Sequence, residues 1–335
     1  MLLLLVACAS PPPPTPPPPA TGTLVFVSEA DGKPAGAYLS AAGGEVRLLP
    51  RVAASVYPGE PAPDGSGVLA IGVDEGDGGH REALWWIPLD GGEPRVLTPP
   101  AGRIRAPSWS ADGAWITCEG DWNGQPDVYR LPRAGGEPGR LTAADNGSFE
   151  PDVSASGRVA FGTSRDGNAE IYTMRATGDD LVRITEHPKN DTHPKWSPDG
   201  TDLVFLSDRD GKNAVWWTED GAAPRPLREP QPGRFDMDMT WAPDGRRLAI
   251  VVQTSPGELR IEIVDVATGA TTGTLDGPGA DEQPVWSPDG AWIAYSAHPE
   301  QDGEISLATP DGKTRRRMTT RPGADWLPRW VGAAR

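Results

Sequence analysis

Apolar residues fall in short runs along this chain: Leu24-Val25-Phe26-Val27, Val68-Leu69-Ala70-Ile71, Trp115-Ile116-Thr117, Val159-Ala160-Phe161, and the stretches 203–206, 248–251 and 293–295. Each is three or four residues long, rich in β-branched and aromatic types, and bounded by Gly, Pro, Asp or Asn. Runs this short between turn residues predict strands, because a helix needs a longer stretch with apolar positions every three to four residues. The runs also recur at a fixed period. A Trp-Ser-Pro-Asp-Gly signature precedes the clearest copies, and its Trp position falls at Pro61, Trp109, Val153, Trp196, Trp241, Trp286 and Trp330. The intervals are 48, 44, 43, 45, 45 and 44 residues. A repeat of about 45 residues built from strands and turns predicts an all-β, seven-bladed β-propeller.

One copy shows the blade. Lys195-Trp196-Ser197 reads as an innermost strand and Pro198-Asp199-Gly200 as a tight turn. A second strand follows over 203–207, a polar loop over 208–213, a third strand over 214–217, and a fourth from Arg225. The outermost strand ends in Leu97-Thr98, Leu141-Thr142, Ile184-Thr185 and Met318-Thr319, each Thr lying 11 residues before the next Trp position. The two ends of the repeat complement each other. The chain enters at a second strand after Gly22, and Pro328-Arg329-Trp330 is an innermost strand with nothing after it. Pairing of Trp330 beside 24–27 completes the first blade, closes the ring and covers edge strands. Six blades follow instead if Pro61-Ala62-Pro63-Asp64-Gly65 or the composite blade fails to form.

The order Trp-Ser-Pro-Asp-Gly, apolar strand, Asp-Gly, Leu-Thr resembles the WD-like propeller repeats of the TolB C-terminal domain. It is also similar to the propeller of prolyl-oligopeptidase-type enzymes. The resemblance spans roughly residues 22–335 and implies a periplasmic or surface protein that binds other proteins or envelope components. TolB-like proteins carry an α/β domain ahead of the propeller, where this sequence has a proline-rich stretch. No Gly-x-Ser-x-Gly occurs, so the hydrolase half of the peptidases has no counterpart.

The first residues belong to no blade. Met1 to Val6 are apolar, and Leu5-Val6-Ala7-Cys8 resembles a bacterial lipobox, which makes residues 1–7 a signal peptide and Cys8 the lipidated residue. The apolar stretch is short and lacks a basic leader, so the true start is expected upstream of Met1. Residues 8–22 form a tether whose eight prolines around Thr15 favour polyproline II. Ten such residues hold a domain roughly 30 Å from a membrane. The propeller is then 23–335, and the expected localisation is the bacterial cell envelope, periplasmic or surface-exposed. With Cys8 lipidated, Cys118 in the apolar run after Trp115 is a lone, buried, inert thiol.

Composition narrows the partners. The chain has 335 residues, a net charge of −16 and a pI near 4.7, which excludes a phosphate backbone as natural ligand. The expected partner is a protein or envelope polymer, and the expected state is monomeric.

Propellers bind on the face bearing the loops into the innermost strands, here called the top. Four residues before each Trp position lie Tyr57, Arg105, Phe149, Thr192, Met237, Glu282 and Trp326. One residue on are Pro58, Ala106, Glu150, His193, Asp238, Gln283 and Leu327. Eleven of the 13 Trp fall at structural repeat positions, which leaves Trp122 and Trp326 on top-face loops as expected contact residues. The binding set is Tyr57, Arg105, Trp122, Phe149, Thr192, His193, Met237, Asp238, Glu282 and Trp326. Inward-folded side chains plugging the channel are the alternative. The four His (His80, His187, His193, His298) admit a second class of function, a metal-dependent lyase or hydrolase acting on a saccharide or peptide. They carry no His-x-x-x-His spacing, and the leading expectation is non-enzymatic, with no cofactor. The acidic loops at 74–77 and 207–211 allow Ca²⁺ or, more simply, solvated turns. A passive spacer without ligand is the third class.

Overall fold

The computed structural model describes residues 18–332 except 77–78, 220, 230, 232 and 299–301. Residues 1–17, with Cys8 and most of the tether, lie outside the described residues.

The described regular structure is all β. Twenty-eight strands form seven four-stranded antiparallel sheets arranged as blades of one ring. Six blades use four consecutive strands; in blade 1 the C-terminal strand Asp325–Val331 pairs with Thr23–Ser28. Leu24 stands opposite Trp330 and Thr23 opposite Val331. The Pro61 copy forms blade 2 in full, with Ser55–Pro61 paired to Gly67–Gly76, so the ring has seven blades.

The hydrophobic core lies between blades. Seven buried clusters each join two neighbours around the ring: Val25 and Leu49 of blade 1 pack with Val68 and Ile87 of blade 2, and Leu24 and Trp330 of blade 1 with Trp292 and Leu307 of blade 7. Several indoles of the repeat signature add a directed contact. Trp109, Trp241 and Trp286 donate their ring N–H to the carbonyls of Glu60, Lys195 and Thr240 of the preceding blade, at 3.2–3.3 Å.

The recurrent polar residues have local causes. In Trp-Ser-Pro-Asp-Gly, Ser197 donates to Asp199 at 2.6 Å and Asp199 accepts the Thr201 N–H at 3.1 Å. Gly200 closes the turn at φ +74°, where a side chain is strained. The terminal Thr of the outermost strand fastens that strand to the third. Thr142 donates to buried Asp127 at 2.9 Å and accepts the Val128 N–H at 2.9 Å, while Arg140 pairs with the same carboxylate. Thr185 with Glu170 and Arg183, and Thr319 with Glu304 and Arg317, repeat the arrangement.

Candidate functional site at the channel mouth

Each innermost strand begins five or six residues before its Trp position, so the two rings of residues named from the sequence lie within strands, not on loops. Trp326 is accordingly the second residue of the ring-closing strand. The strands carry bulges here, with register shifts between Arg105 and Ser108, Phe149 and Asp152, Thr192 and Lys195, and Glu282 and Val285. At the bulge, Ala106, Glu150, His193, Gln283 and Leu327 sit at φ between 45° and 56°, unusual for residues with a side chain. The proline ring fixes a negative φ at Pro58, so blade 2 does not share this conformation.

Side chains from the preceding blade hold this strained ring in place. Glu119 of blade 3 accepts the N–H of Glu150 at 3.3 Å, and Glu150 accepts the N–H of His193 at 2.8 Å. The other Glu150 oxygen lies 3.0 Å from His193 Nε2, so one carboxylate grips both the backbone and the ring. Across the seam, Gln283 accepts the Leu327 N–H at 2.8 Å. Burial pushes the Glu119 carboxyl above its ordinary range. These bonds link blades 3, 4 and 5 at the mouth, and blades 7 and 1.

The predicted contact residues divide by what they touch. Tyr57 and Trp326 come together: their ring centroids lie 5.9 Å apart at 58°, joining blades 1 and 2 at the rim. Met237 is 44% exposed, and Asp238 and His193 are exposed beside the bore. Arg105 is committed to Glu82, 2.5 Å away, whose carboxylate also takes the Ile104 N–H. Glu282 lies 3.0 Å from His298 Nε2 and raises the pKa of that imidazole. Thr192 meets the His193 ring at 3.1 Å.

Phe149 and Trp122 lie back on the blades. A Cβ on Gly162 would stand 2.4 Å from the Phe149 ring, and one on Gly120 would stand 2.1 Å from Trp122. Trp122 also packs edge-on against Tyr129 at 4.7 Å and donates its indole N–H to the Pro99 carbonyl at 3.2 Å. The signal for this was in the sequence: a glycine in a strand leaves a cavity that a neighbouring aromatic covers.

Below the mouth, the residues before two Trp positions reach toward the next blade. Glu60 and Asp152 accept the backbone N–H groups of Trp109 and Trp196, and Lys195 lies 3.4 Å from Asp152. Sequence reasoning missed this layer, which sits three residues from the ring it named. Arg329 belongs to it. Surrounding protein lowers its pKa, and the charge of Asp238, on the second blade away round the ring, works the other way.

The remaining chemistry is dispersed. His80 bridges Glu75 and Glu82, far in sequence from the pairs at His193 and His298. Among the described residues, no three His, Cys, Asp or Glu side chains are grouped to hold a metal. Of the two acidic loops, Asp74 caps the Ala54 N–H and Asp208 the Asn190 N–H, while Asp77 lies outside the described residues. Cys118 is fully buried, its thiol pushed up to about 12 by desolvation.

Comparison with known proteins places this geometry. The Tol-Pal system protein TolB of Bordetella pertussis is 30% identical over 245 residues, which is 72% of this chain and 55% of that protein. The chain spans only 54–61% of the length of such curated relatives. The fold matches TolB from Acinetobacter baumannii with a TM-score of 0.60 at 21% identity, covering 94% of this chain and 68% of that one. It matches an oligogalacturonate lyase from Vibrio parahaemolyticus equally well, with a TM-score of 0.64 at 16% identity over 90% of this chain and 87% of the other. At such identities the likeness speaks for the fold alone. Residues 148–333 match the family described as the TolB beta propeller domain, and the chain belongs to that family.

Proposed function

We propose that this chain is a non-enzymatic envelope protein that holds a segment of a partner protein against the channel mouth, with Trp326 and Tyr57 at the centre of the contact. The aromatic pair carries this reading. Two large rings meet at the rim across a blade boundary, 5.9 Å apart, next to a bore lined with charged side chains. Aromatic anchors ringed by polar groups are the usual centre of a protein interface. The frame of interblade hydrogen bonds beneath them lowers the ordering cost of binding. Membership of the TolB propeller family supports an envelope setting, and a lipid at Cys8 fits that setting.

Affinity capture from a cell-envelope extract tests the proposal, using wild-type protein, Trp326→Ala and Tyr57→Ala. Loss of a captured protein in both variants, with retention in Trp122→Ala, supports it. Equal capture by all of them removes the mouth as the binding site.

A further inference from the structure

Residues 18–22 lie outside the seven blades, yet they are bound to the two that flank the seam. Trp292 of blade 7 donates its indole N–H to the Pro18 carbonyl at 2.9 Å. Trp330 of the ring-closing strand donates to Thr21 at 3.0 Å, and the Ala41 N–H of blade 1 donates to Gly22 at 2.9 Å. Ala20 is 1% exposed, sealed in a cluster with Leu39, Trp292 and Trp330. Gly22 sits at φ +96°, and a Cβ there would stand 2.7 Å from the Trp330 indole nitrogen, so only glycine allows the approach. In three other blades the signature indole reaches the preceding blade: Trp109 finds the Glu60 carbonyl, Trp241 the Lys195 carbonyl and Trp286 the Thr240 carbonyl. For Trp330 this strap takes the preceding blade's place.

All the contacts lie at one end of the blades. Trp330 closes its innermost strand, Trp292 precedes a second strand, and Ala41 follows a third. That end carries the Pro-Asp-Gly turns and is opposite the mouth. Asp112, Asp199 and Asp289, in three Asp-Gly turns at that end, are kept below the ordinary carboxylate range by hydrogen bonds from Ser110, Ser197 and Ser287.

We infer that the strap commits the bottom face to the leader, and through it to the surface on which the leader is fixed, so that the mouth is displayed on the opposite side. If that surface is a membrane, the inference rests on the lipid-anchor reading of Cys8; the assignment of the leader to the bottom face does not. The propeller then has two separate interaction surfaces, an anchoring face closed by its own chain and a partner-binding mouth pointing away from it.

Energy transfer in the full, unlipidated chain tests the assignment. A donor dye is placed on Cys8, which leaves buried Cys118 unlabelled, and an acceptor is attached at position 313, in a bottom turn, or at position 237, on the mouth. Strands of six residues separate the faces by roughly 20 Å. Transfer to position 313 is expected to exceed transfer to position 237 about two-fold at that separation. Equal transfer, or more to position 237, overturns the inference. A second measurement separates it from the anchoring reading. The lipidated chain is mixed with phosphatidylcholine–phosphatidylglycerol vesicles bearing a headgroup quencher. Stronger quenching at 313 than at 237 supports the orientation, and the reverse overturns it. Failure to bind vesicles sinks the anchor at Cys8, and the transfer measurement still decides the face.

Discussion

Trp326 and Tyr57 meet with ring centroids 5.9 Å apart, and the two come from opposite ends of the chain. Trp326 lies in the strand that closes the ring, and Tyr57 in the first strand of the next blade. Half of the aromatic contact at the mouth therefore exists only when the C-terminal strand has docked. The partner binding proposed for the mouth would therefore depend on ring closure.

Weakening closure should cost both stability and binding. Trp330 is 1% exposed and packs with Leu24, Leu39 and Trp292. Trp330→Ala is expected to destabilise the fold by about 3–5 kcal/mol, the usual cost of removing a buried Trp. Denaturant unfolding measures this, and capture by the mouth should fall in parallel.

The frame beneath the mouth should respond differently. Glu150→Gln keeps an acceptor for the His193 N–H but removes the charge facing the His193 ring, whereas Glu150→Ala removes both. His193 is exposed, so Glu150→Gln should leave stability nearly unchanged. The Ala variant should cost about 1–2 kcal/mol through the lost hydrogen bond at a residue with positive φ. Equal stability of the two variants would contradict this account of the frame.

The threonine that ends the outermost strand should be a structural requirement of each blade. Thr185→Val keeps the shape but leaves buried Glu170 without its 2.5 Å donor and the Ile171 N–H without an acceptor. A loss of about 1–3 kcal/mol is expected. Thr320, exposed just past the outermost strand of blade 7, serves as the control and should tolerate Val within about 0.5 kcal/mol.

Two kinds of group contribute to the pH dependence in opposite senses. Asp64, lowered to about 2 mainly by Arg133, and the turn aspartates Asp112, Asp199 and Asp289 have folded pKa values below their unfolded ones. Their contribution is complete above the unfolded value of 3.8 and is lost as pH falls through the folded values, so stability should drop between about pH 4 and 2. His298 is shifted the other way, raised chiefly by Glu282. Its contribution is present below the unfolded value of 6.5 and fades as pH rises through the folded value. His298→Gln should reduce this alkaline limb, to which His80, raised by Glu75 and Glu82, also contributes, while leaving the acid limb in place, as followed by thermal unfolding across pH.

The fold was legible because its period is carried by residues with fixed mechanical tasks. Ser197 and Asp199 make a turn, Thr185 fastens a strand, and Trp241 and Trp286 reach back one blade; each recurs wherever its task does. The split blade was legible because the first and last copies lack complementary strands. The mouth was legible only in part. Counting back from the Trp position located Tyr57 and Trp326, but no periodic signal shows that these two meet. Nor does it show that Trp122 turns back over Gly120 to find the Pro99 carbonyl. Side-chain direction at the rim depends on bulges that place Glu150 and His193 at positive φ, and nothing in those residue types announces that conformation. The strap was hidden for another reason. Residues 18–22 read as the end of a proline-rich tether, and their role depends on carbonyls meeting indoles from the far end of the chain.

The account depends most on the mouth being the surface that meets a partner. Site-specific photo-crosslinking in intact cells measures this directly, with the crosslinker at position 237 on the mouth, at position 48 on the outer edge of blade 1, or at position 313 below. The account predicts one discrete protein adduct from position 237, weakened or lost with Tyr57→Ala or Trp326→Ala, and none of that adduct from positions 48 and 313. An adduct of equal yield from position 48, or one from position 237 indifferent to both aromatic substitutions, would contradict it.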